Sequence, residues 1–154
     1  MSNSKSPLAL DNQLCFSLYR ASHAMVRAYR PLLDELGLTY PQYLVMLALW
    51  QSNDSQSNDS QSVGQIGQLL GLDSGTLTPV LRRLEQRGLV VRRRDPHDER
   101  RRLIVLTDRG QELQRPAEDV PEKVWAKFPL EPEGYSSFKS QLNGVAEAFE
   151  AGRS

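Results

Sequence analysis

The sequence has little of what disulfide-linked or metal-bound folds require. It contains one cysteine, Cys15, and two histidines in 154 residues. This excludes an internal disulfide framework and a multi-cysteine zinc site, and we expect neither a metal nor a cofactor. No stretch approaches the roughly 18 consecutive apolar residues of a membrane helix, and the N-terminal residues lack the pattern of a secretory signal. We therefore expect a cytoplasmic protein without a membrane span.

The chain also lacks net charge, but its charges are unevenly placed. There are 19 Lys and Arg residues and 19 Asp and Glu residues. Between Asp73 and Arg102, however, nine arginines stand against five acids, in a chain that is otherwise acidic. Concentrated positive charge of this kind favours a surface that binds the phosphates of nucleic acid, although an arginine-rich solvated surface would have the same composition.

The hydrophobic pattern predicts a first amphipathic helix over residues 11–29. Its apolar residues recur every three to four positions, and Asp11 or Asn12 can act as the N-cap. Pro31 and then Gly37 are expected to end this helix and a short continuation of it.

A second helix is predicted from Pro41, near its first position, to Trp50. The residues that follow, 51–62, repeat a polar pentapeptide without an apolar member, so we expect a flexible loop. The apolar stripe that this second helix would turn to the core consists of Leu44, Leu47 and Ala48.

Residues 62–88 predict two helices joined by a tight turn. Ser62 and Gln65 have the spacing of a capping box, Gly71 can adopt the left-handed turn, and Gly88 ends the second helix. Asp73, Ser74 or Thr76 can cap that second helix. The first helix would bury Val63, Ile66, Leu69 and Leu70, and the second would bury Leu77, Val80, Leu81 and Leu84.

The opposite face of the second helix is small, hydroxylated and basic. Such residues allow close approach to a major groove, where Thr side chains meet base edges and Arg forks bind guanine or phosphate. Pro79 is unusual inside a helix, so either the helix begins near Thr76 or it is locally strained. The candidate DNA contacts on this helix are Ser74, Thr76, Thr78, Pro79, Arg82 and Arg83.

A hairpin with a basic tip follows. Its predicted strands, 89–91 and 103–106, flank the sequence RRRDPHDERRR, which supplies turn residues and six arginines. A ribbon beside a recognition helix can place an arginine in the adjacent minor groove. The candidate contacts on it are Arg94, Asp98 and Arg100. This order of elements predicts a mainly α, α+β fold with a small β-hairpin wing, which is a winged helix-turn-helix.

The C-terminal residues predict helices that need a partner. Residues 108–128 are largely helical but interrupted by Pro116 and Pro121. Residues 135–151 place one apolar stripe along a helix. That stripe consists of Phe138, Leu142, Val145, Ala146 and Phe149.

Four separated motifs resemble a known family. DERRRLIVLT, at 98–107, matches the Asp-x-Arg and Leu-Thr signature in the wing of the MarR family of winged-helix repressors. The resemblance narrows to the organic hydroperoxide resistance regulators, and it implies an intertwined helical homodimer that binds pseudo-palindromic double-stranded operator DNA. The other matching stretches are LDNQLCFSLY (10–19), LTYPQYLVMLALW (38–50) and LDSGTLTPVLRRLEQRGLV (72–90).

Within that subgroup the resemblance implies that Cys15 senses organic hydroperoxides and that Tyr19, Tyr29 and Tyr40 surround it. A position in the first turns of a helix favours the thiolate. Taken without the resemblance, a lone cysteine between apolar neighbours is more often inert core. The chain has no second cysteine to resolve a sulfenic acid. We therefore expect a low-molecular-weight thiol to cap oxidised Cys15, or further oxidation to follow.

Two other functions stay open at this point. A MarR-type regulator could instead sense a small aromatic ligand in the dimer cleft and leave Cys15 idle. A thiol peroxidase would use Cys15 for turnover, but the chain has neither a resolving cysteine nor a Cys-x-x-Cys motif. Because a catalyst has no use for an arginine wing, we do not expect an enzyme.

The domain organisation follows from these segments. We expect one MarR-like domain, residues 1–154, with a DNA-binding part in its centre. Its expected parts are sensor and dimerisation helices (8–50), a flexible polar loop (51–62), the winged helix-turn-helix (62–107) and C-terminal dimerisation helices (108–154).

Overall fold

The structure is a computed structural model that describes residues 6–54 and 60–152. It is mostly helical, with one small antiparallel sheet. The chain forms two compact units, the first ending at Pro121 and the second beginning at Glu122. The elements are a 3-10 turn (Leu10–Asn12), α1 (Leu14–Leu36), α2 (Tyr40–Asp54), β1 (Gln61–Ser62), α3 (Val63–Leu70), α4 (Ser74–Gln86), β2 (Val90–Arg94), β3 (Arg102–Leu106), α5 (Asp108–Glu112), α6 (Gln114–Ala117), α7 (Asp119–Trp125) and α8 (Pro132–Ala151).

α1 begins later than the sequence indicated. Asp11 and Asn12 belong to the separate 3-10 turn, and the helix starts at Leu14 after Gln13, whose side chain makes no capping hydrogen bond. The predicted N-cap at Asp11 or Asn12 is therefore wrong. The Gln13 amide instead donates to the carbonyl of Pro7 at 2.6 Å, which ties the preceding segment to the start of the helix.

α1 also passes through the proline that was expected to end it. Pro31 lies inside the helix, which continues to Leu36 and stops at Gly37 in left-handed backbone, with φ 65°. Proline removes one helical hydrogen bond. The apolar residues after it pack against the core, and their burial outweighs that loss. These residues are Leu32, Leu33 and Leu36.

α2 is buried on almost every side. Thr39 and Gln42 cap it reciprocally, since the Thr39 N–H donates to Gln42 Oε1 at 3.0 Å and the Gln42 N–H donates to Thr39 Oγ1 at 3.4 Å. The predicted stripe is correct for Ala48, whereas Leu47 is 39% exposed and Leu44 is only half-buried. The buried apolar residues of α2 are Tyr43, Val45, Met46, Ala48, Leu49 and Trp50.

The polar segment 51–62 is not a loop at either end. Residues 51–54 form the last turn of α2, and Gln61–Ser62 form β1, which pairs antiparallel with Ile104 and Leu103 of β3. The middle of the predicted loop, 55–59, lies outside the described residues. At its C-terminal end the prediction fails because a polar segment can complete its backbone hydrogen bonds without burying apolar surface, and β3 supplies the partners. At its N-terminal end it fails because residues 51–54 continue α2.

The sheet has the strand order β1-β3-β2, and its β2-β3 pair is the predicted hairpin. The antiparallel register places Val90 opposite Leu106 and Arg92 opposite Ile104. Ile104 is buried in the same core as the inner face of α4. The predicted fold class is confirmed: the protein is mainly helical with a small β wing. The third strand, β1, was not predicted.

Two prolines divide the chain after the sheet into short helices, as expected. α5 ends at Glu112 and α6 ends at Ala117. These are the residues four positions before Pro116 and Pro121, whose missing N–H groups cannot donate to them. The interruptions therefore fall one turn before each proline rather than at it.

The second unit contains α8 and a small aromatic cluster. The ring of Tyr135 meets that of Trp125 edge-on, with centroids 4.0 Å apart, and Phe128 stacks on Trp125 at 5.2 Å. α8 buries none of its residues, and Phe138 and Phe149 on its predicted apolar stripe are 41% and 72% exposed. A partner for this stripe stays a prediction. Among the described helices, none combines the length and apolarity that crossing a bilayer requires.

The base of the wing is joined to α5 by a close backbone contact. A Cβ added to Gly110 would lie 2.0 Å from the carbonyl oxygen of Leu89. Thr107 Oγ1 accepts from the Gly110 N–H at 3.0 Å and donates to the Gly88 carbonyl at 2.6 Å. The Trp50 indole N–H donates to the Gly110 carbonyl at 3.0 Å. Thr107, the last residue of the wing motif, therefore has a structural role.

We predict that Gly110→Ala destabilises the protein by about 3 kcal/mol or more, because the new methyl group has no space and the backbone at Leu89 must move. Chemical denaturation measures the free energy of unfolding. Gly144→Ala is the matched control, since a Cβ there meets no atom within 4 Å and alanine favours the helix by roughly 1 kcal/mol. Equal stability of the two variants would contradict the contact.

Candidate nucleic-acid interface and cysteine site

The recognition helix, α4, is held at its start by one carboxylate. Asp73 is the N-cap, and its Oδ1 accepts from the Thr76 N–H at 2.8 Å. This hydrogen bond lowers the pKa of the Asp73 carboxyl below its ordinary value. The helix therefore begins at Ser74, and the alternative start near Thr76 is wrong. Pro79 lies inside the helix.

The turn before α4 has the predicted form. Ser62 and Gln65 make both hydrogen bonds of the capping box of α3, at 3.1 and 2.9 Å. Gly71 ends α3 in left-handed backbone, with φ 65°. Within α3, Ile66 is buried as expected, whereas Leu69 is 57% exposed and was wrongly assigned to the core.

The two faces of α4 separate as the sequence predicted. The inner face is anchored by Leu77, Leu81 and Leu84, which are fully buried. The outer face carries the candidate DNA contacts, of which Thr78 is half-buried and the others are exposed. These exposed residues are Ser74, Thr76, Pro79, Arg82 and Arg83.

The wing tip is shaped by carboxylates that bind its own backbone. Asp98 Oδ1 accepts from the Arg100 N–H at 3.0 Å, and Asp95 Oδ1 accepts from the His97 N–H at 2.8 Å. Asp95 also pairs with Arg101 at 3.6 Å. Asp98 therefore holds the loop that presents Arg100, and a direct contact of Asp98 with DNA stays a prediction. The turn role of Asp95 was predicted from the sequence, whereas its ion pair with Arg101 was not.

An ion pair fixes the wing to the recognition helix. Arg92 Nε of β2 lies 3.4 Å from Glu85 Oε2 of α4. Both side chains are partly exposed, so the pair contributes little to stability by itself. It places one guanidinium nitrogen of β2 beside a carboxylate of α4.

Arg87, the C-cap of α4, reaches across to the end of α1. Its guanidinium donates to the carbonyls of Gly37 and, at 3.3 Å, of Leu36. Carbonyls at a helix C-terminus lack helical donors, and a cation there is favourable. A Cβ on Gly37 would lie 2.7 Å from Arg87 Nη2, so glycine leaves the space for this contact. The recognition helix is thus attached to the helix that carries the cysteine.

Cys15 is the second residue of α1 and is exposed. Tyr19 lies one turn later on the same helix, and its ring stacks on His23 with centroids 4.1 Å apart. An open groove of about 490 Å³ runs along this part of α1. Among the residues that the structure describes, α1 alone lines this groove, so they supply one wall of it. The groove is lined mainly by Phe16, Tyr19, Arg20, His23, Ala24 and Arg27.

Tyr29 and Tyr40 converge, but not on the cysteine of the same chain. Their ring centroids are 5.1 Å apart. Tyr29 lies on the same continuous helix as Cys15, roughly 21 Å further along at 1.5 Å per residue. Within one chain, therefore, Tyr19 is the only one of the three predicted tyrosines placed near Cys15 by the helix.

A third tyrosine, Tyr43, completes this cluster and was not predicted. Its ring lies 5.9 Å from that of Tyr29 and 6.4 Å from that of Tyr40. Burial, together with the two neighbouring phenols, raises the pKa of Tyr43 to about 12, and burial also raises the pKa of Tyr40. The spacing of Tyr40 and Tyr43 on one helix is the signal that could have identified it.

Comparison with known proteins identifies the family. The family model for the transcriptional regulator SarA/Rot matches residues 27–115. The organic hydroperoxide resistance transcriptional regulator of Bacillus subtilis (strain 168) is 43% identical over 147 residues, covering 96% of each chain. The chain belongs to the organic hydroperoxide resistance regulators of the MarR family. The predicted resemblance is therefore confirmed, and the member proteins are DNA-binding transcriptional regulators.

Solved structures show the same fold on DNA. Reduced AbfR bound to DNA is 39% identical, with a TM-score of 0.74 over 92% of this chain and 93% of that one. Overoxidised AbfR bound to DNA is 40% identical, with a TM-score of 0.70 over 90% and 94%. Disulfide-formed AbfR is 39% identical, with a TM-score of 0.61 over 89% and 92%. AbfR is a protein of Staphylococcus epidermidis.

We predict that the capping carboxylate of Asp73 contributes pH-dependent stability. Because its pKa is lower in the folded protein, this contribution is present above its unfolded pKa of about 3.9 and is lost as the pH falls through the folded value. Asp73→Asn keeps a capping side chain that does not titrate. The difference in free energy of unfolding between the native protein and this variant should be constant from pH 7 to 5. Below about pH 4 the native protein should lose stability relative to the variant. A pH-independent difference would contradict the assignment.

Proposed function

We propose that this regulator is a repressor that binds operator DNA as a homodimer and is released when an organic hydroperoxide oxidises Cys15. The observation that carries the proposal is an exposed, solitary thiol in the first turn of α1, in a chain whose α4 and wing form a DNA-reading surface. We further propose that the protein acts in the cytoplasm, where it meets DNA.

The recognition helix would enter the major groove with its hydroxylated N-terminal half. Ser74 and Thr76 stand exposed beside the cap, and Arg82 and Arg83 follow on the same outer face. The wing would then run along the backbone and place Arg100 in the minor groove, where the potential is most negative. This arrangement gives base contacts to α4 and mainly phosphate contacts to the wing.

Dimerisation is supported by apolar surface that one chain leaves exposed. Leu14 is 65% exposed in α1, and Phe149 is 72% exposed in α8. Exposed apolar side chains on each of these helices favour an interaction with a further surface. In the described part of one chain, the groove along α1 is lined by that helix alone. A two-fold dimer would bind half-sites whose centres are about one helical turn, roughly 34 Å, apart.

The sensing step is a nucleophilic attack by the Cys15 thiolate. Its sulfur bonds to the terminal oxygen of the hydroperoxide, the O–O bond breaks, and the alkoxide leaves as an alcohol after protonation. The product is a sulfenic acid. Because the sequence holds no second cysteine, a low-molecular-weight thiol condenses with the sulfenic acid, releasing water and forming a mixed disulfide.

We propose that the mixed disulfide is the form that releases DNA. The relative AbfR has been solved on DNA in its overoxidised form, so in that protein added sulfur oxygens are compatible with DNA binding. A thiol adduct is much larger and would not fit a packed dimer interface around α1. It would displace α1, and the contact of Arg87 with the end of α1 would pass that displacement to α4.

The tyrosine cluster supports a sensor built from two chains. Because Tyr29 and Tyr40 lie far from Cys15 within one chain, we propose that they approach the partner's Cys15 in the dimer. A phenol with a raised pKa stays protonated and can donate a hydrogen bond to a thiolate. Tyr40 has this property. Tyr19, one turn after Cys15, would act on the thiolate of its own chain.

We expect Cys15→Ser to bind DNA but to ignore peroxide. Fluorescence anisotropy on the DNA upstream of the protein's own gene would be titrated with an organic hydroperoxide in the presence of a small thiol. The native protein should be released near one equivalent of peroxide per chain, while the serine variant stays bound.

The same titration separates the alternatives. Equal release of both proteins would replace the redox proposal with a regulator released by a small ligand. Repeated consumption of peroxide by the native protein, with excess thiol as reductant, would point to a thiol peroxidase. Absence of binding by the reduced native protein would contradict the repressor function itself.

We also predict that Tyr40→Phe slows oxidation of Cys15 severalfold, because the thiolate loses a hydrogen-bond donor. The rate is measured by loss of the free thiol after addition of peroxide, and DNA affinity of the reduced protein should not change. Tyr135→Phe is the matched control, since it removes a phenol hydroxyl from the second unit. If both variants oxidise at the native rate, the phenols do not act on Cys15.

A further inference from the structure

The wing contains two arginines that face each other across the hairpin. The register of β2 and β3 places Arg94 directly opposite Arg102. Side chains of directly opposed residues lie on the same face of a sheet, with Cβ atoms roughly 5 Å apart. Both residues are exposed. Two arginine side chains therefore start from the same face at the outer end of the two strands.

No carboxylate neutralises this pair. Among the residues that the structure describes, neither Arg94 nor Arg102 forms an ion pair. Of the acids nearby, Asp95 pairs with Arg101 and Asp98 accepts from the backbone of the loop, while Glu99 forms no ion pair among the described residues. Arg102 Nη1 donates to the Glu99 carbonyl at 3.0 Å, which orients its guanidinium without neutralising it. Like charges directly opposite each other destabilise a strand pair.

The pair lies on the side of the hairpin that faces the recognition helix. Positions alternate between faces along a strand, so Arg94 and Arg102 share a face with the pair Arg92 and Ile104. Ile104 is buried in the core with the inner leucines of α4, and Arg92 pairs with Glu85 of α4. Arg93, by contrast, is opposite Leu103 and lies on the other face.

We propose that Arg94 and Arg102 together bind one backbone phosphate of the operator, beside the groove that α4 enters. An arginine fork matches the oxygens of a phosphate, and a single anion between two guanidiniums would relieve the repulsion that the free protein carries. The contact fixes the register of the wing on the duplex and reads no base. This inference rests on the proposed operator binding and adds Arg102, which the sequence analysis did not select, to the DNA surface.

The test compares three single variants that each remove one positive charge from the wing: Arg94→Ala, Arg102→Ala and the matched control Arg93→Ala. Anisotropy on the duplex upstream of the protein's own gene gives the affinity at several salt concentrations. Arg94→Ala and Arg102→Ala each change both chains of the dimer, so for each of them the slope of log affinity against log salt should fall by about 2. Arg93→Ala should reduce the slope by less than half of that.

A second measurement identifies the phosphate. Duplexes with one uncharged methylphosphonate, moved along the backbone, should weaken native binding most at one position in each half-site. At that position the Arg94→Ala, Arg102→Ala double variant should show no further loss. The proposal is overturned if every methylphosphonate weakens the double variant as much as the native protein, or if all three single variants have the same salt slope.

Thermal unfolding without DNA completes the test. Arg94→Ala should raise the melting temperature, because Arg102 then has no like charge opposite it, whereas Arg93→Ala should leave it unchanged. Arg102→Ala is not used here, since it also removes the hydrogen bond to the Glu99 carbonyl. A lower melting temperature for Arg94→Ala would show that the arginine pair stabilises the wing instead, and it would overturn the proposal. If the native protein does not bind the duplex, both the proposed operator binding and this inference are contradicted. If the native protein binds and the three single variants have the same salt slope, only this inference is contradicted.

Discussion

The surface that meets DNA depends on the burial of one helix face. Leu77, Leu81 and Leu84 of α4 are completely buried, and they share one core with Ile104 of the wing. Burying each such side chain contributes on the order of 2 kcal/mol. This packing fixes the rotation of α4 about its axis and the position of the hairpin beside it. The polar face of α4 points to solvent because the apolar face is fixed in the core.

DNA binding and cysteine oxidation involve different parts of the fold. The elements proposed to bind DNA lie within one chain, where α4 and the wing share a core and the Glu85–Arg92 ion pair. Among the described residues, the groove beside the cysteine is lined by α1 alone, and Tyr29 and Tyr40 of the same chain lie far from Cys15. In the proposed dimer, α4 and the wing of each chain bind DNA, and Cys15 lies where the two chains meet.

Features that depend on local chemistry could be predicted from the sequence, and features that depend on distant neighbours could not. The Ser62 and Gln65 capping box, the left-handed Gly71 and the hairpin all follow from residues close together in the chain. The β1 strand was not predicted because its partner, β3, lies about forty residues later. The continuation of α1 through Pro31 likewise depends on a core contributed by other helices. In the candidate site, Tyr43 was not selected because its ring meets Tyr29 only in the folded chain.

The arginines show why composition alone could not assign the DNA surface. The sequence places nine of them in one basic segment, and they divide by the groups that they meet. Arg87 caps α1, Arg92 pairs with the recognition helix, and Arg101 holds the wing loop. These three arginines contact other groups of the protein and hold the elements of the surface together. A guanidinium that already has its oxygen partners gains little from a phosphate, because the earlier contacts must first be given up. The remaining arginines of the outer α4 face and of the wing are less engaged within the described chain: Arg102 donates to one backbone carbonyl, and no ion pair is formed by Arg82, Arg83, Arg93, Arg94 or Arg100. Their unused donors remain available to phosphate oxygens of DNA.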